Sequence, residues 1–263
     1  MQLNNNTQII YKLENHLNQE IINKFMNLLD RANKIVGFTG AGISTDSGIP
    51  DYRSKGGIWE RFKPVYIDEF LRSEEKRILY WKRKIELWAD LKKAKSNSAH
   101  NFFVEIDKRK KLIGLITQNI DGLHQKAGLN SFLIIQLHGT NLQTICLQCN
   151  KIYPTEEIMA LIDIENGAPH CSSCDGFLKP NTISFGQQLK HQDLERAEQL
   201  VKICDLLIIV GSTLSVQPAS LFPQIAYQNG AKIVIVNLSD TPMDEYADIV
   251  VRENCTEFFN SIF

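Results

Sequence analysis

Apolar residues fall into short, well-separated blocks. Ile21, Ile22, Phe25, Leu28 and Leu29 recur at helical spacing and predict a helix over 19–33. Lys34 to Thr39 then reads as a buried strand that runs into Gly40-Ala-Gly-Ile-Ser44 and a further helix. Residues 54–100 are rich in Lys, Arg and Glu, carry Trp59, Trp81 and Trp88, and read as helical. Further buried strands are expected at 112–117, 132–137, 205–210, 232–236 and 249–251, with helices at 193–203, at 218–229 and at the end of the chain. Strands alternating with helices imply an α/β fold: a mostly parallel sheet covered on both faces, with ligands beyond the carboxyl ends of its strands.

Composition narrows the function. The 263 residues carry 29 Lys+Arg against 30 Asp+Glu, a net charge of −1, so no basic surplus points to nucleic acid. A 43% hydrophobic and 22% charged chain is ordinary globular material. No apolar run approaches the roughly 18 residues needed to span a membrane. The Asn-rich segment 1–18 has no apolar core of a signal peptide and reads as a solvated tail, so a cytoplasmic location is expected.

Two cysteine pairs carry the strongest local signal. Cys146-x-x-Cys149 and Cys171-x-x-Cys174 can each offer two thiolates to one tetrahedral ion. Four thiolates favour zinc and close its shell to water, which makes the site structural. The competing reading is redox-active or incidental cysteines. Cys204, just before a strand, reads as a small buried apolar residue.

The remaining chemistry sits at strand ends. Gly40-Ala-Gly42 lets backbone approach a pyrophosphate, or is simply a tight turn. Val210-Gly-Ser-Thr213 and Asn237-Leu-Ser239 close two more strands, and three polar ends on one sheet edge are hard to explain by core packing. Gln118, Asn119 and Asp121 crowd one loop, where they grip a ligand or cap backbone. His138, at another strand end before Gly139, is a candidate general base or a satisfied structural histidine.

Taken together, these segments resemble the sirtuins, NAD-dependent protein lysine deacylases. The match runs in family order through Gly40 to Arg53, Thr117 to His124, Leu137-His-Gly139, the two cysteine pairs, Lys179-Pro-Asn181, Phe185-Gly186, Gly211-Ser-Thr213 and Asn237-Leu-Ser239. The resemblance implies a Rossmann-like, doubly wound large domain over about 20–53, 103–145 and 179–263. A smaller domain would combine a helical part over about 54–102 with a zinc ribbon over about 146–178.

NAD would lie between the two, as a cosubstrate, with an acyl-lysine protein or peptide entering opposite it. For NAD, the resemblance implies Gly40, Ala41, Gly42, Thr45, Asp51, Tyr52, Arg53, Gln118, Asn119 and Asp121. It adds Gly211, Ser212, Thr213, Ser215, Asn237, Leu238, Ser239 and Cys255 on the adenosine side. Ile183, Phe185 and Gly186 would meet the peptide. His138 would be the general base on the ribose hydroxyls, with Asn119 placing ribose or water.

Tyr52 replaces a usual Phe, Ile183 a frequent Val, and Gln187 a usual Glu, which removes a charge beside the peptide strand. Tyr80 and Arg83 resemble the pair that some sirtuins use to bind succinyl or malonyl carboxylates, although a segment this rich in Lys and Arg offers such pairs by chance. Rival functions are an NAD glycohydrolase, a mono-ADP-ribosyltransferase and a non-catalytic NAD-binding protein.

Overall fold

The computed structural model describes residues 19–262, so the polar tail expected over 1–18 lies outside the described residues. The chain begins with α1 (19–31) and β1 (Ile35–Thr39). Four helices follow: α2 (Ile58–Arg61), α3 (Ile67–Arg72), α4 (Glu74–Lys93) and α5 (Ser98–Lys108). Next come β2 (Leu112–Thr117), α6 (Leu123–Lys126), β3 (Ile134–Gln136), β4 (Gly139–Cys146), β5 (Ile152–Pro154), α7 (Thr155–Leu161) and β6 (Leu178–Thr182). The last third adds α8 (His191–Ile203), β7 (Leu206–Val210), α9 (Leu221–Gln228), β8 (Lys232–Val236), β9 (Ile249–Val251) and α10 (Cys255–Asn260).

Six of these strands form one parallel sheet in the order β3-β2-β1-β7-β8-β9. The order reverses between β1 and β7, and ligands of such sheets bind in the crevice at that point. Helices on both faces explain the unbroken apolar strands. Leu206, Ile208 and Val210 of β7 pack with Phe25 of α1, Phe102 and Phe103 of α5, and Phe258 and Phe259 of α10. Leu207 and Ile209 face the other way, onto Ala197 and Val201 of α8 and Phe222 and Ala226 of α9. The Asp205 carboxylate accepts from the amides of Asn33 and Lys34, which clips the entry of β1 to that of β7.

The second sheet, β5-β4-β6, is antiparallel. Its core joins α4 to the cysteine-bearing segment through Trp81, Ile158, Leu178, Cys146 and Cys171. Trp81 is fully buried and its indole donates to the Leu178 carbonyl at 3.0 Å. Arg77 stacks 3.8 Å from the Phe177 ring centroid and donates to the Phe70 carbonyl. Helix α4 and the cysteine-bearing sheet therefore pack as one unit.

Three sequence expectations change in detail. The glycine turn leads into a 3-10 helix, Ala41–Ser47, which Gly48 ends in the left-handed region. The strand expected at 132–137 shortens to Ile134–Gln136, with a 3-10 turn over Ser131–Leu133 before it. The segment 54–100 is broken into separate helices, and α5 continues to Lys108.

Trp81→Ala removes a large buried ring and leaves the Leu178 carbonyl without its donor. The expected cost is about 3–5 kcal/mol, read by urea unfolding. A loss below about 1 kcal/mol would contradict this packing role.

Candidate active site

The crevice begins where two loops touch backbone to backbone. The Gly40 amide donates to the Val210 carbonyl at 3.1 Å and the Gly42 amide to the Gly211 carbonyl at 2.9 Å. A Cβ on Gly42 would stand 2.9 Å from the Gly211 Cα. Gly211 has φ +64°, and a Cβ there would meet the Ile43 nitrogen at 2.1 Å. Glycine is the residue that fits both positions, and the resulting bare cradle suits a pyrophosphate. Tyr52 and Arg53 follow on the same loop, which the Asp51 carboxylate braces by accepting from the amides of Arg53 and Ser54. Burial works to raise the Asp51 pKa, but the hydrogen bonds from Ser54 and Arg53 hold it below the ordinary value.

Beneath the cradle lies a buried polar network. Asn119 donates to the Gly40 carbonyl at 3.0 Å and to Ser44 Oγ at 3.2 Å. Ser44 donates to Asp121 Oδ2 at 2.8 Å, and the Leu123 amide donates to Asp121 Oδ1. Burial raises the Asp121 carboxyl above its ordinary pKa against those hydrogen bonds. Gln118 donates to Ser212 Oγ at 2.8 Å, which spans the ends of β2 and β7.

Histidines line the back of this network. His124 Nε2 lies 3.0 Å from Thr39 Oγ1, which donates to Thr117 Oγ1. His100 stands 4.9 Å from the His124 ring, centroid to centroid, and burial depresses both pKa values, His100 to about 4. The sequence reading missed Thr39, Ser44 and His100. The signal was their position at the strand ends and beside the Asn97 cap of α5, which accepts from the His100 amide.

His138 sits between the two sheets. Its Nδ1 lies 2.9 Å from the Gln118 carbonyl oxygen, which can only accept, so Nδ1 carries the proton and Nε2 is left as a base. Burial lowers the His138 pKa, and the Gln118 bond offsets this in part. The Ile183 amide donates to the His138 carbonyl at 2.9 Å, so the chain leaving β6 runs beside the imidazole. Gly139, at φ +75°, permits this: a Cβ would fall 2.1 Å from the Asn181 oxygen. Phe185 and Gly186 are exposed on that segment.

The remaining expected residues are spread along the same sheet edge. Thr45 is exposed and donates to the Gly42 carbonyl, and Thr213 and Ser215 are exposed and hydrogen-bonded to each other. Buried Asn237 donates to the Ser239 carbonyl, Leu238 is 67% exposed, and Cys255 starts α10 with its sulfur 3.6 Å from the Val236 oxygen. Tyr80 and Arg83 part company. The Tyr80 hydroxyl lies 3.3 Å from Thr182 Oγ1, whereas Arg83 donates to the Lys63 carbonyl. Burial favours the neutral Tyr80 phenol, but Lys84 and Lys179 pull its pKa down to about 8.

The four cysteine sulfurs all lie within 4.8 Å of one another. Cys146–Cys174 and Cys149–Cys171 are 3.5 and 3.7 Å apart. A zinc ion with bonds of about 2.3 Å places its sulfurs about 3.8 Å apart, so the donor set fits. Despite the Gly176 amide, the neighbouring Cys149 and burial push Cys174 up to about 12. Four thiolates this close need a cation to share their charge.

A doubly wound sheet with a glycine cradle at its switch point defines the chain as a dinucleotide-binding α/β protein. Comparison with known proteins narrows this. The Sir2 family model matches residues 40–218. An NAD-dependent protein deacetylase of Thermodesulfovibrio yellowstonii is 42% identical over 243 residues, covering 92% of this chain and 94% of the relative. One from Rhodopseudomonas palustris is 40% identical, covering 88% and 91%. A solved Sir2 complex with a p53 peptide and NAD+ has a TM-score of 0.80 at 33% identity, covering 91% of this chain and 95% of that one. A Sir2 protein bound to a propionylated peptide gives 0.80 at 34%, covering 92% and 96%. The chain belongs to the Sir2 family, the sirtuins.

Cys171→Ser removes one zinc ligand. Metal analysis is expected to find well under one zinc per chain, and the melting temperature is expected to fall, because bound zinc contributes folding free energy. Unchanged zinc content and melting would refute the site.

Proposed function

We infer that this protein is an NAD-dependent protein lysine deacylase, releasing nicotinamide, free lysine and O-acyl-ADP-ribose. One observation carries the reading: a glycine cradle, a buried Asn119–Ser44–Asp121 network with half-buried Gln118 beside it, and a histidine with a free Nε2 converge at one sheet edge. NAD supplies a ribose carbon open to attack and nicotinamide as leaving group.

The chain's own residues then have distinct tasks. Gly40, Gly42 and Gly211 expose backbone to the pyrophosphate. Gln118, Asn119 and Asp121 hold the ribose and nicotinamide side, anchored from behind by Ser44 and Ser212. Ser215, Asn237 and the start of α10 at Cys255 face the adenosine. Ile183, Phe185 and Gly186 receive the peptide backbone. His138 Nε2 accepts a proton from a ribose hydroxyl once the acyl oxygen has been engaged, while the Gln118 carbonyl keeps the other proton on Nδ1. The four cysteines would hold zinc at the end of β4, where it would contribute rigidity to the smaller sheet.

Acetyl-lysine is the favoured substrate. Arg83, which would pair with an acidic acyl group, is engaged by the Lys63 carbonyl and stacks toward Phe62.

Mass spectrometry of NAD incubated with matched acetyl-lysine and succinyl-lysine peptides is expected to show O-acetyl-ADP-ribose, formed only with peptide. Free ADP-ribose produced equally without peptide would identify an NAD glycohydrolase instead. His138→Ala is expected to lower kcat by about 10²–10⁴ while NAD affinity and melting stay close to wild type. Normal turnover would end the general-base assignment. The neutral imidazole is the active form, so a lowered pKa moves the acid limb of kcat/KM below about 6.5, the unperturbed histidine value. An acid limb centred above pH 7 would contradict the burial of His138.

A further inference from the structure

The loop that carries Tyr52 and Arg53 and the segment that carries Phe185 meet through one side chain, Trp59. Its ring lies 4.3 Å from the Arg53 guanidinium carbon and 5.8 Å from the Tyr52 ring. Its other contact is the Phe185 ring, 5.7 Å away, and Phe185 in turn lies 5.7 Å from Tyr66. All these spacings are in the range of attractive ring pairs.

The backbone adds the same connection. The Trp59 amide donates to the Tyr52 carbonyl at 3.1 Å, and the Ile67 amide donates to the Phe185 carbonyl at 3.0 Å. Two residues before Phe185, the Ile183 amide holds the His138 carbonyl. A continuous path of contacts thus runs from the loop beside the glycine cradle, through one indole, to the segment beside the candidate base.

The helix that carries Trp59 is lightly held. It is four residues long and buries none of its side chains. Tyr66 and Phe185 at the far end are 48% and 44% exposed. Elements with few buried contacts open at low cost, so their ordering is open to control by ligands.

We propose that Trp59 is a positioning residue that couples the two substrate sites: a peptide seated on Phe185 orders the Tyr52–Arg53 loop for NAD, and NAD orders Phe185 for the peptide. This rests on the deacylase reading. The first ligand bears the entropy of ordering the shared stack, so the second binds more tightly, and the effect is reciprocal. Arg53, Tyr52 and Phe185 all meet the same indole, so its loss separates the sites without removing a group from either.

The test is calorimetry with zinc-loaded protein and ADP-ribose, which has no nicotinamide to release and permits no turnover. An acetyl-lysine peptide is present at saturation or absent. In wild type, peptide is expected to tighten ADP-ribose binding about five- to tenfold. Trp59→Leu is expected to keep each separate affinity within about threefold and to lose the mutual tightening. Trp59→Phe, which retains a ring, is expected to restore most of it. Trp59→Met, which also lacks a ring but fills more of the same space, is expected to lose it too, and decides the matter if Trp59→Leu does not fold.

Full coupling in a folded Trp59→Leu protein overturns the proposal, as does wild type that binds both ligands without mutual effect. In that second case the deacylase reading stands. Wild type that binds neither ligand overturns both.

Discussion

The close contact of Gly42 with Gly211 is the constraint on which the rest of the site depends. It welds the first loop after β1 to the first residue after β7, at the point where the strand order turns. Any side chain at either glycine drives the loops apart, because the obstacle on each side is backbone and cannot rotate away. The Asn119 bond to the Gly40 carbonyl and the Gln118 bond to Ser212 presuppose that spacing. The crevice is thus a product of sheet topology and two missing Cβ atoms.

Polar burial is the second theme. Thr39, Thr117, Ser44, Asn119, Asp121, His100 and His124 are all nearly inaccessible, and each finds partners within the group. Buried polar groups cost free energy unless hydrogen-bonded, so a network this complete restrains the orientation of every member. The exception is His124 Nδ1, which has no partner. Both histidines are held neutral by burial, so the network keeps its donors and acceptors in one pattern near neutral pH.

Much of this was legible in the chain. Strands β7, β8 and β9 were readable within a residue, because their unbroken apolar runs leave no competing helical period. The cysteine pairs announced the tetrahedral sulfur cluster by spacing alone. Strand β4 was not legible. Its sequence, Gly139 to Cys146, shows no regular alternation of buried and exposed residues over its first half, and takes its strand character from pairing with β5 and β6. The His100–His124 contact joins residues from different elements, which no local pattern encodes. Helical spacing puts Tyr80 and Arg83 on one face, whereas the Arg83 bond to the Lys63 carbonyl is set by the path of the chain between α2 and α3.

The central position of β1 also has a consequence for biosynthesis. Lys34 meets the Asp205 carboxylate across 171 positions of chain, and β1 has β7 as its inner neighbour. A ribosome releases β1 long before β7 exists, so the first strand made waits beside β2 with one edge bare. An open strand edge is a template for wrong pairing, and long-range parallel pairing is slow. The nascent chain therefore passes through a half-sheet stage in which the cradle is absent, and a nucleotide can aid folding only after the last third has been translated.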